Sequence, residues 1–205
     1  MIITSIREED KKRAAVSLDG EFFCLLYKGE LRRLALKEGM ELTAEQVFLI
    51  EETILKVRAR NYCMHILERQ SCSEKKVMEK LLRHRYSDKI AAYAVTYWKE
   101  LGYIDDLAYA GNYISCHYMS DSYRRICEKL YQRGIASETV EQAWADFSEN
   151  LKEPEEEYRI ALKRTIEKKS RSLNLADTDD RNRMIRYLLG RGFPYREIVR
   201  ELAEG

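Results

Sequence analysis

The fold is decided by a pattern that occurs three times in the chain: Leu81-Leu-Arg-His-Arg-Tyr86, Leu130-Tyr-Gln-Arg-Gly-Ile135 and Leu188-Leu-Gly-Arg-Gly-Phe193. Each stretch opens with leucine, carries a basic residue near its end and closes on an apolar or aromatic residue. In the second and third stretches a glycine comes just before that last residue. Glycine there predicts the end of a helix, because the residue that follows a helix often takes a left-handed conformation that is free of steric penalty only for glycine. The sequence therefore predicts three related helix–turn–helix units.

The residues around each turn show that whole units repeat. The interval from Ala59 to Leu81 in the first unit equals the interval from Ala108 to Leu130 in the second, whereas the interval from Ala161 to Leu188 is longer. Apolar residues at helical spacing follow each turn and predict a third helix in every unit. Three short helices bury little surface alone, so we expect neighbouring units to stack in an elongated array. The predicted units are three tandem three-helix repeats at residues 58–104, 105–150 and 151–205.

Residues 1–57 have a different pattern. Arg13–Leu18 and Glu21–Tyr27 are rich in apolar residues, and Asp19-Gly20 between them suits a type I′ turn, so we predict a small β-hairpin. Thr43 and Gln46 have the spacing of a capping box that opens a helix. The fold class is thus mainly α with a small N-terminal β-hairpin element, and residues 1–57 form the hairpin plus a helix. Further helix N-caps are predicted at Ser73, Ser87, Ser137 and Asp177.

Composition narrows the class of protein. The chain has 205 residues, 35% of them charged, and a net charge of +1. No apolar run reaches the roughly 18 residues of a membrane span, and the start lacks the pattern of a signal peptide, so we expect a cytoplasmic protein. The five cysteines form no C-x-x-C pair and the three histidines lie apart, which predicts neither disulfides nor a metal site. We also expect a monomer.

Motifs of catalytic or cofactor sites are missing from the sequence, and this favours a binding protein over an enzyme. There is no Walker A, H-E-x-x-H or G-x-S-x-G motif. Asp105-Asp106 is a carboxylate pair, but it follows Gly102 and precedes an apolar helix, a setting typical of a helix cap. We therefore predict no catalytic residues, no cofactor and no metal.

Charge is uneven along the chain and indicates a charged partner. Residues 58–100 carry 10 basic and 5 acidic side chains, while residues 101–150 carry 4 and 8. A solvated helix face would give similar blocks, so the partner is a hypothesis. The candidate partner-binding residues lie near the second helix and the following turn of the first two units: Lys76, Lys80, Arg83, Arg85, Arg124, Arg125 and Arg133.

Tyrosines are concentrated in the same part of the chain, nine of the fourteen lying between Tyr86 and Tyr131. Tyrosine rings among arginines can stack on bases or bind a protein surface. Helical spacing favours a core position for Tyr93, Tyr97, Tyr109 and Tyr113. We expect more open positions for Tyr118, Tyr123 and Tyr131.

The central part of the chain resembles a known family. Gly102-Tyr-Ile-Asp-Asp106, followed by Tyr109-Ala110, Tyr113, Ile126, Leu130 and Gly134-Ile135, is similar to the central signature of RecX-type recombination regulators. Ala59, Leu67, Arg69, Ser73 and Leu81 resemble the first repeat of that family. The sequence departs from the family at two places: Arg85 stands where a glycine is usual, and Ser120-Asp121-Ser122 replaces a small linker glycine.

The resemblance implies a partner and an activity. It implies a protein that binds the RecA recombinase filament on single-stranded DNA, lies in its helical groove and restrains ATP hydrolysis, strand exchange and repressor cleavage. No catalytic residues come with the family. The residues by themselves leave an alternative open, a direct DNA-binding helical protein with weak affinity for DNA, since charge and tyrosines attract either partner.

Overall fold

The first unit begins with an antiparallel sheet in the order β1 (Ile3–Glu8), β2 (Arg13–Leu18), β3 (Glu21–Tyr27). The turn between β2 and β3 has φ of 49° at Asp19 and 91° at Gly20, both in the left-handed range that a type I′ turn requires. The predicted hairpin is confirmed. Strand β1 is an addition that its polar sequence does not predict, and it forms because it pairs with β2, from Ile3 opposite Leu18 to Glu8 opposite Ala14.

The computed structural model describes residues 1–149 and 154–204. The chain divides into two compact units, Met1–Asp105 and Asp106–Gly205. One turn of π-helix, Glu51–Leu55, joins the helix Ala44–Ile50 to the helix Lys56–Leu67 without a break. The helices are α1 (Lys28–Arg33), α2 (Ala44–Ile50), α3 (Lys56–Leu67), α4 (Glu74–Arg83), α5 (Asp88–Glu100), α6 (Asp106–His117), α7 (Tyr123–Gln132), α8 (Ser137–Glu149), α9 (Pro154–Ser170), α10 (Thr178–Gly190) and α11 (Tyr195–Glu204).

Helices α3 to α11 form three groups of three, α3–α5, α6–α8 and α9–α11, and the mainly α fold class with a small N-terminal sheet is confirmed. Each group has its own buried cluster, which includes Leu81, Leu130 and Leu188 respectively. The first cluster also contains sheet residues such as Val16 and Leu26. The stacking of the groups in an elongated array stays a prediction.

The domain boundaries also stay predictions. The boundary after residue 57 falls within the continuous helical run from α2 to α3. The boundary between residues 150 and 151 lies outside the described residues.

The repeated turns share one hydrogen-bond pattern, that of the Schellman motif. The amide of the closing residue donates to the carbonyl of the first leucine, and the distances are 3.3 Å at Tyr86, 3.2 Å at Ile135 and 3.2 Å at Phe193. The preceding residue has positive φ each time, 85° at Gly134, 84° at Gly192 and 63° at Arg85. The first repeat therefore holds an arginine in a backbone conformation for which the other two use glycine.

Side chains cap the N-termini of three helices as predicted. The side-chain oxygens of Ser73, Ser87 and Asp177 accept hydrogen bonds from backbone amides at the starts of α4, α5 and α10. The prediction for Ser137 is wrong, since the carbonyl of Ala136 already accepts the first helical bond, from Val140, and Ser137 lies inside α8. The Ser122 side chain also caps α7, although it is not among the predicted caps.

Candidate partner-binding surface

Helix α4 carries three of the predicted basic residues on one face. Its buried side is formed by Val77 and Leu81. Lys76, Lys80 and Arg83 follow one another at steps of four and three residues, so they share the other side. Lys76 and Arg83 are exposed, and the half-buried Lys80 places its Nζ 3.9 Å from the Cys72 Sγ. Within the described part of the chain, no carboxylate forms an ion pair with any of the three, and with the exposed Glu79 beside them this face has a net positive charge.

Arg85, the fourth residue predicted in the first repeat, does not join the α4 face. Its Nη1 donates to Glu9 Oε2 at 2.8 Å, and its guanidinium lies 4.3 Å from the centre of the Phe22 ring. Both partners belong to the N-terminal sheet region. The turn thus directs Arg85 toward the sheet, and the first repeat presents a basic stripe of three residues.

The predicted basic residues of the middle repeat are largely engaged within the protein. Arg124 is exposed, but its Nε donates to Glu128 Oε1 at 2.9 Å. The Arg125 Nε lies 3.5 Å from Asp121 Oδ1. Arg133 donates to the Lys129 carbonyl at 3.0 Å and covers the Tyr113 ring at 4.4 Å. Since surface charges that are already paired attract a partner weakly, the middle repeat is less basic at its surface than the sequence suggests.

The sequence reasoning missed a buried carboxylate where the second and third repeats meet. The Asp121 side chain is only 3% exposed, and its oxygens lie 2.8 Å from Lys129 Nζ and 3.0 Å from Arg191 Nη1. The same Arg191 nitrogen donates to the Ser120 carbonyl at 2.8 Å, and the Ser122 amide donates to the Arg191 carbonyl at 3.1 Å. The sequence signal was present in Ser120-Asp121-Ser122, but its partner Arg191 lies far away along the chain.

Cations cover several tyrosine rings, which sequence spacing did not reveal. Lys56 lies 4.2 Å from the centre of the Tyr93 ring, and Arg60 lies 4.7 Å from that of Tyr97. These two tyrosines are therefore half-buried under cations from α3 instead of lying in the core. Tyr109 and Tyr113 do pack against the core of the middle repeat. Of the three tyrosines expected to be open, Tyr123 and Tyr131 are exposed and Tyr118 packs edge-on against Phe147.

The described residues contain no group of histidines, cysteines and acids placed to hold a metal ion. Burial raises the pKa of the Cys24 thiol and of the Cys63 thiol to about 12 in each case. Both thiols stay protonated near neutral pH, and a protonated thiol is a poor nucleophile. None of the described helices is long and apolar enough to cross a membrane.

Comparison with known proteins finds similarity to regulatory proteins RecX. Residues 155–202, in the third repeat, match the family model "RecX, third three-helix domain". The chain is 28% identical over 204 residues to the regulatory protein RecX of Caldanaerobacter subterraneus subsp. tengcongensis, with 98% of each protein covered. It is 23% identical over 202 residues to the regulatory protein RecX of Clostridium botulinum (strain Eklund 17B), which covers 97% of this chain and 92% of that protein.

Two solved structures share the fold. The crystal structure of a regulatory protein RecX superposes with a TM-score of 0.61 at 19% identity and covers 100% of this chain and 99% of its own. The crystal structure of RecX from Lactobacillus salivarius gives a TM-score of 0.58 at 19% identity and covers 73% of this chain and 96% of its own. The likeness to the first structure includes the N-terminal sheet region, since the whole of this chain is covered.

Proposed function

We propose that this chain, which is similar to regulatory proteins RecX along nearly its whole length, regulates a RecA recombinase by binding the recombinase filament on single-stranded DNA. The observation that carries this proposal is the match to a regulatory protein RecX along 98% of both chains. The resemblance seen in Gly102–Asp106 and the flanking repeats is confirmed by that match. The proposed effect is restraint of ATP hydrolysis, strand exchange and repressor cleavage by the filament.

The α4 face is the part of the predicted surface best suited to this contact. Lys76, Lys80 and Arg83 lie together with no carboxylate paired to them among the described residues, so their guanidinium and ammonium groups can contact a partner. Arg124 is the most exposed of the remaining candidates and adds to the surface if Glu128 releases it. Arg85, Arg125 and Arg133 are engaged within the protein, through contacts to Glu9, Asp121 and Tyr113, and therefore add less charge to this surface. Exposed charges of this kind steer association more than they strengthen the bound state.

The protein acts by binding in this proposal and breaks no covalent bond. Burial raises the pKa of the Cys24 and Cys63 thiols, which makes them poor nucleophiles. In this proposal, a protein bound in the filament groove restrains ATP hydrolysis by occupying the groove, without any reaction of its own. We propose that the protein acts as a monomer in the cytoplasm, where the recombinase and DNA are found.

Direct DNA binding is the second candidate, and the unpaired α4 face favours it as well. Base stacking on tyrosines supports it less, because Tyr93 and Tyr97 already have cations over their rings. In this alternative the α4 cations contact phosphates, and the slope of log affinity against log salt falls by about one for each contact removed.

The test is ATP hydrolysis by the cognate recombinase on single-stranded DNA, measured with the wild-type protein and with Lys76→Ala/Lys80→Ala/Arg83→Ala. The matched control is Arg164→Ala/Lys168→Ala/Arg171→Ala, which removes three exposed charges at the same spacing in the third repeat. We expect the α4 variant to need a higher concentration for half-maximal inhibition and to show a weaker salt dependence, with the control unchanged.

Parallel binding to naked single-stranded DNA separates the two candidates. Loss of DNA affinity with unchanged inhibition would favour direct DNA binding. Equal potency of wild type and α4 variant in both assays would show that the α4 face is only solvated. No inhibition by the wild-type protein at filament-matching ratios would refute regulation of this activity.

A further inference from the structure

A cavity of about 320 Å³ lies in the first unit, between the sheet and the first helical repeat. Its wall is formed by β2 and β3 on one side and by α3 and the turn after α4 on the other. This volume is at the small end of the range of roughly 300 to 1,000 Å³ that is typical of ligand sites. The cavity has room for one small molecule, and nothing in the proposed regulatory function uses it.

The lining of the cavity is cationic. Arg13, Arg58 and Arg85 line it, and no aspartate or glutamate does. Each guanidinium is held from outside the cavity by an acid: Asp10 binds the Arg13 Nε, Glu30 binds the Arg58 Nη2, and Glu9 binds the Arg85 Nη1. These ion pairs fix the arginines in position and leave nitrogens of Arg13 and Arg85 available as donors. An anion with several oxygens suits such a set of guanidiniums.

The charge of Arg13 also affects a neighbouring histidine. His84 also lines the cavity, and its pKa is lowered by burial and by the charges of Arg13 and Arg83. The arginine charges that disfavour a proton on this imidazole also favour an anion, whereas burial disfavours a charge of either sign.

The backbone at Arg85 is an independent sign that its side chain has a role. The residue has φ of 63°, whereas the corresponding residues of the other two repeats are Gly134 and Gly192. A non-glycine residue in this region is strained, and such strain concentrates at functional sites. The contacts with Glu9 and Phe22 are half exposed and contribute little to stability. Fold stability therefore does not explain why an arginine stands here.

Aromatic rings complete the site. The ring centres of Tyr62 and His84 are 4.2 Å apart, and those of Tyr62 and Tyr86 are 6.3 Å apart, all three lining the cavity with Tyr27 and Phe23. Rings beside guanidiniums match a ligand that has a flat aromatic part and a phosphate. We propose that the cavity binds a nucleoside phosphate, with its base against Tyr62 and Tyr86 and its phosphate held by Arg13 and Arg85. The size of the cavity limits the ligand to one nucleotide unit, either free or at the phosphorylated end of a strand.

The test is isothermal titration calorimetry of the full chain with adenosine 5′-monophosphate, and with adenosine and inorganic phosphate separately. The decisive variant is Arg85→Gly, because glycine removes the guanidinium and also relieves the backbone strain, so the variant keeps its fold. We expect its dissociation constant for the nucleotide to rise by about tenfold or more, the effect of losing a charge-assisted hydrogen bond. Arg13→Gln is expected to act in the same direction, and Arg164→Ala, which removes a charge far away in the chain, is expected to change nothing.

A second arm identifies the source of the ligand. Oligonucleotides with a 5′-phosphate and with a 5′-hydroxyl are compared for binding to the wild type and to Arg85→Gly. Binding of the free nucleotide assigns the site to free nucleotides, and a preference for the phosphorylated strand that Arg85→Gly abolishes assigns it to strand ends. The proposal is overturned if neither ligand binds the wild type at millimolar concentration, or if both variants bind as tightly as wild type. Inhibition of the recombinase by these variants is a separate measurement, so failure here leaves the regulatory proposal intact.

Discussion

Replacing Gly192 by alanine tests the contact between the second and third repeats. Gly192 has φ of +84°, and a Cβ built on it would lie 2.2 Å from the Ser122 Oγ. The left-handed conformation costs an alanine about 1–2 kcal/mol. The clash also displaces the Ser122 hydroxyl, which accepts a hydrogen bond from the Arg125 amide at 3.3 Å. Loss of such an N-cap costs about 1 kcal/mol. We expect the free energy of unfolding of this region to fall by about 2–3 kcal/mol.

Gly102→Ala is the matched control, since Gly102 has φ of +75° and nothing lies within 4 Å of its Cβ position. It should show the backbone cost alone, about 1–2 kcal/mol. In a Ser122→Ala background the clash is gone, so Gly192→Ala should there cost no more than Gly102→Ala does.

Urea unfolding followed by tryptophan fluorescence measures these differences. The chain has two tryptophans, Trp98 in the first unit and Trp144 in the second. Trp98→Phe leaves a reporter for the Gly192 variants, and Trp144→Phe leaves one for Gly102→Ala. If Gly192→Ala costs no more than Gly102→Ala, or if Ser122→Ala gives no relief, the close packing of these two turns is not what stabilises the junction.

Three further outcomes follow from the same structure. Leu130 is fully buried, so Leu130→Ala should destabilise the second unit by about 2–5 kcal/mol. Trp144→Ala should destabilise it by less, because that ring is half-buried. An unchanged urea midpoint would contradict the core assignment. Asp121→Asn should lower the free energy of unfolding by about 1–3 kcal/mol, because three partly exposed cations then lack their carboxylate. Equal stability of the variant and the wild type in low salt would show that these ion pairs contribute nothing. The folded-state pKa of His84 lies below its ordinary value of 6.5, so below that pH the unfolded chain binds more protons than the folded chain and wild-type stability falls. His84→Gln should lack this fall in urea midpoints measured between about pH 5 and about pH 8.

Local patterns in the sequence were sufficient for the secondary structure and the repeat. The glycines at 134 and 192, the caps at Ser73, Ser87 and Asp177, and the Asp19-Gly20 turn all act on residues a few positions away, so their effect can be inferred from neighbours in the chain. The resemblance in Gly102–Asp106 added the family. Strand β1 was missed because its formation depends on pairing with β2, and Ser137 was misassigned because α8 begins one residue earlier than its side chain suggests.

The surface was less predictable, because whether a basic side chain meets an acid depends in several cases on residues that are distant in the chain. The sequence does not distinguish among the seven predicted basic residues. In the structure, Lys76, Lys80 and Arg83 form no ion pair with acids among the described residues. Arg85 binds Glu9, and Arg125 shares Asp121 with Arg191. The sequence by itself determined where helices begin, end and repeat, because those signals are local. The tertiary structure decided which charges face solvent, which neutralise each other and which surround a cavity, because Coulomb interactions and burial depend on distances between residues far apart in the chain.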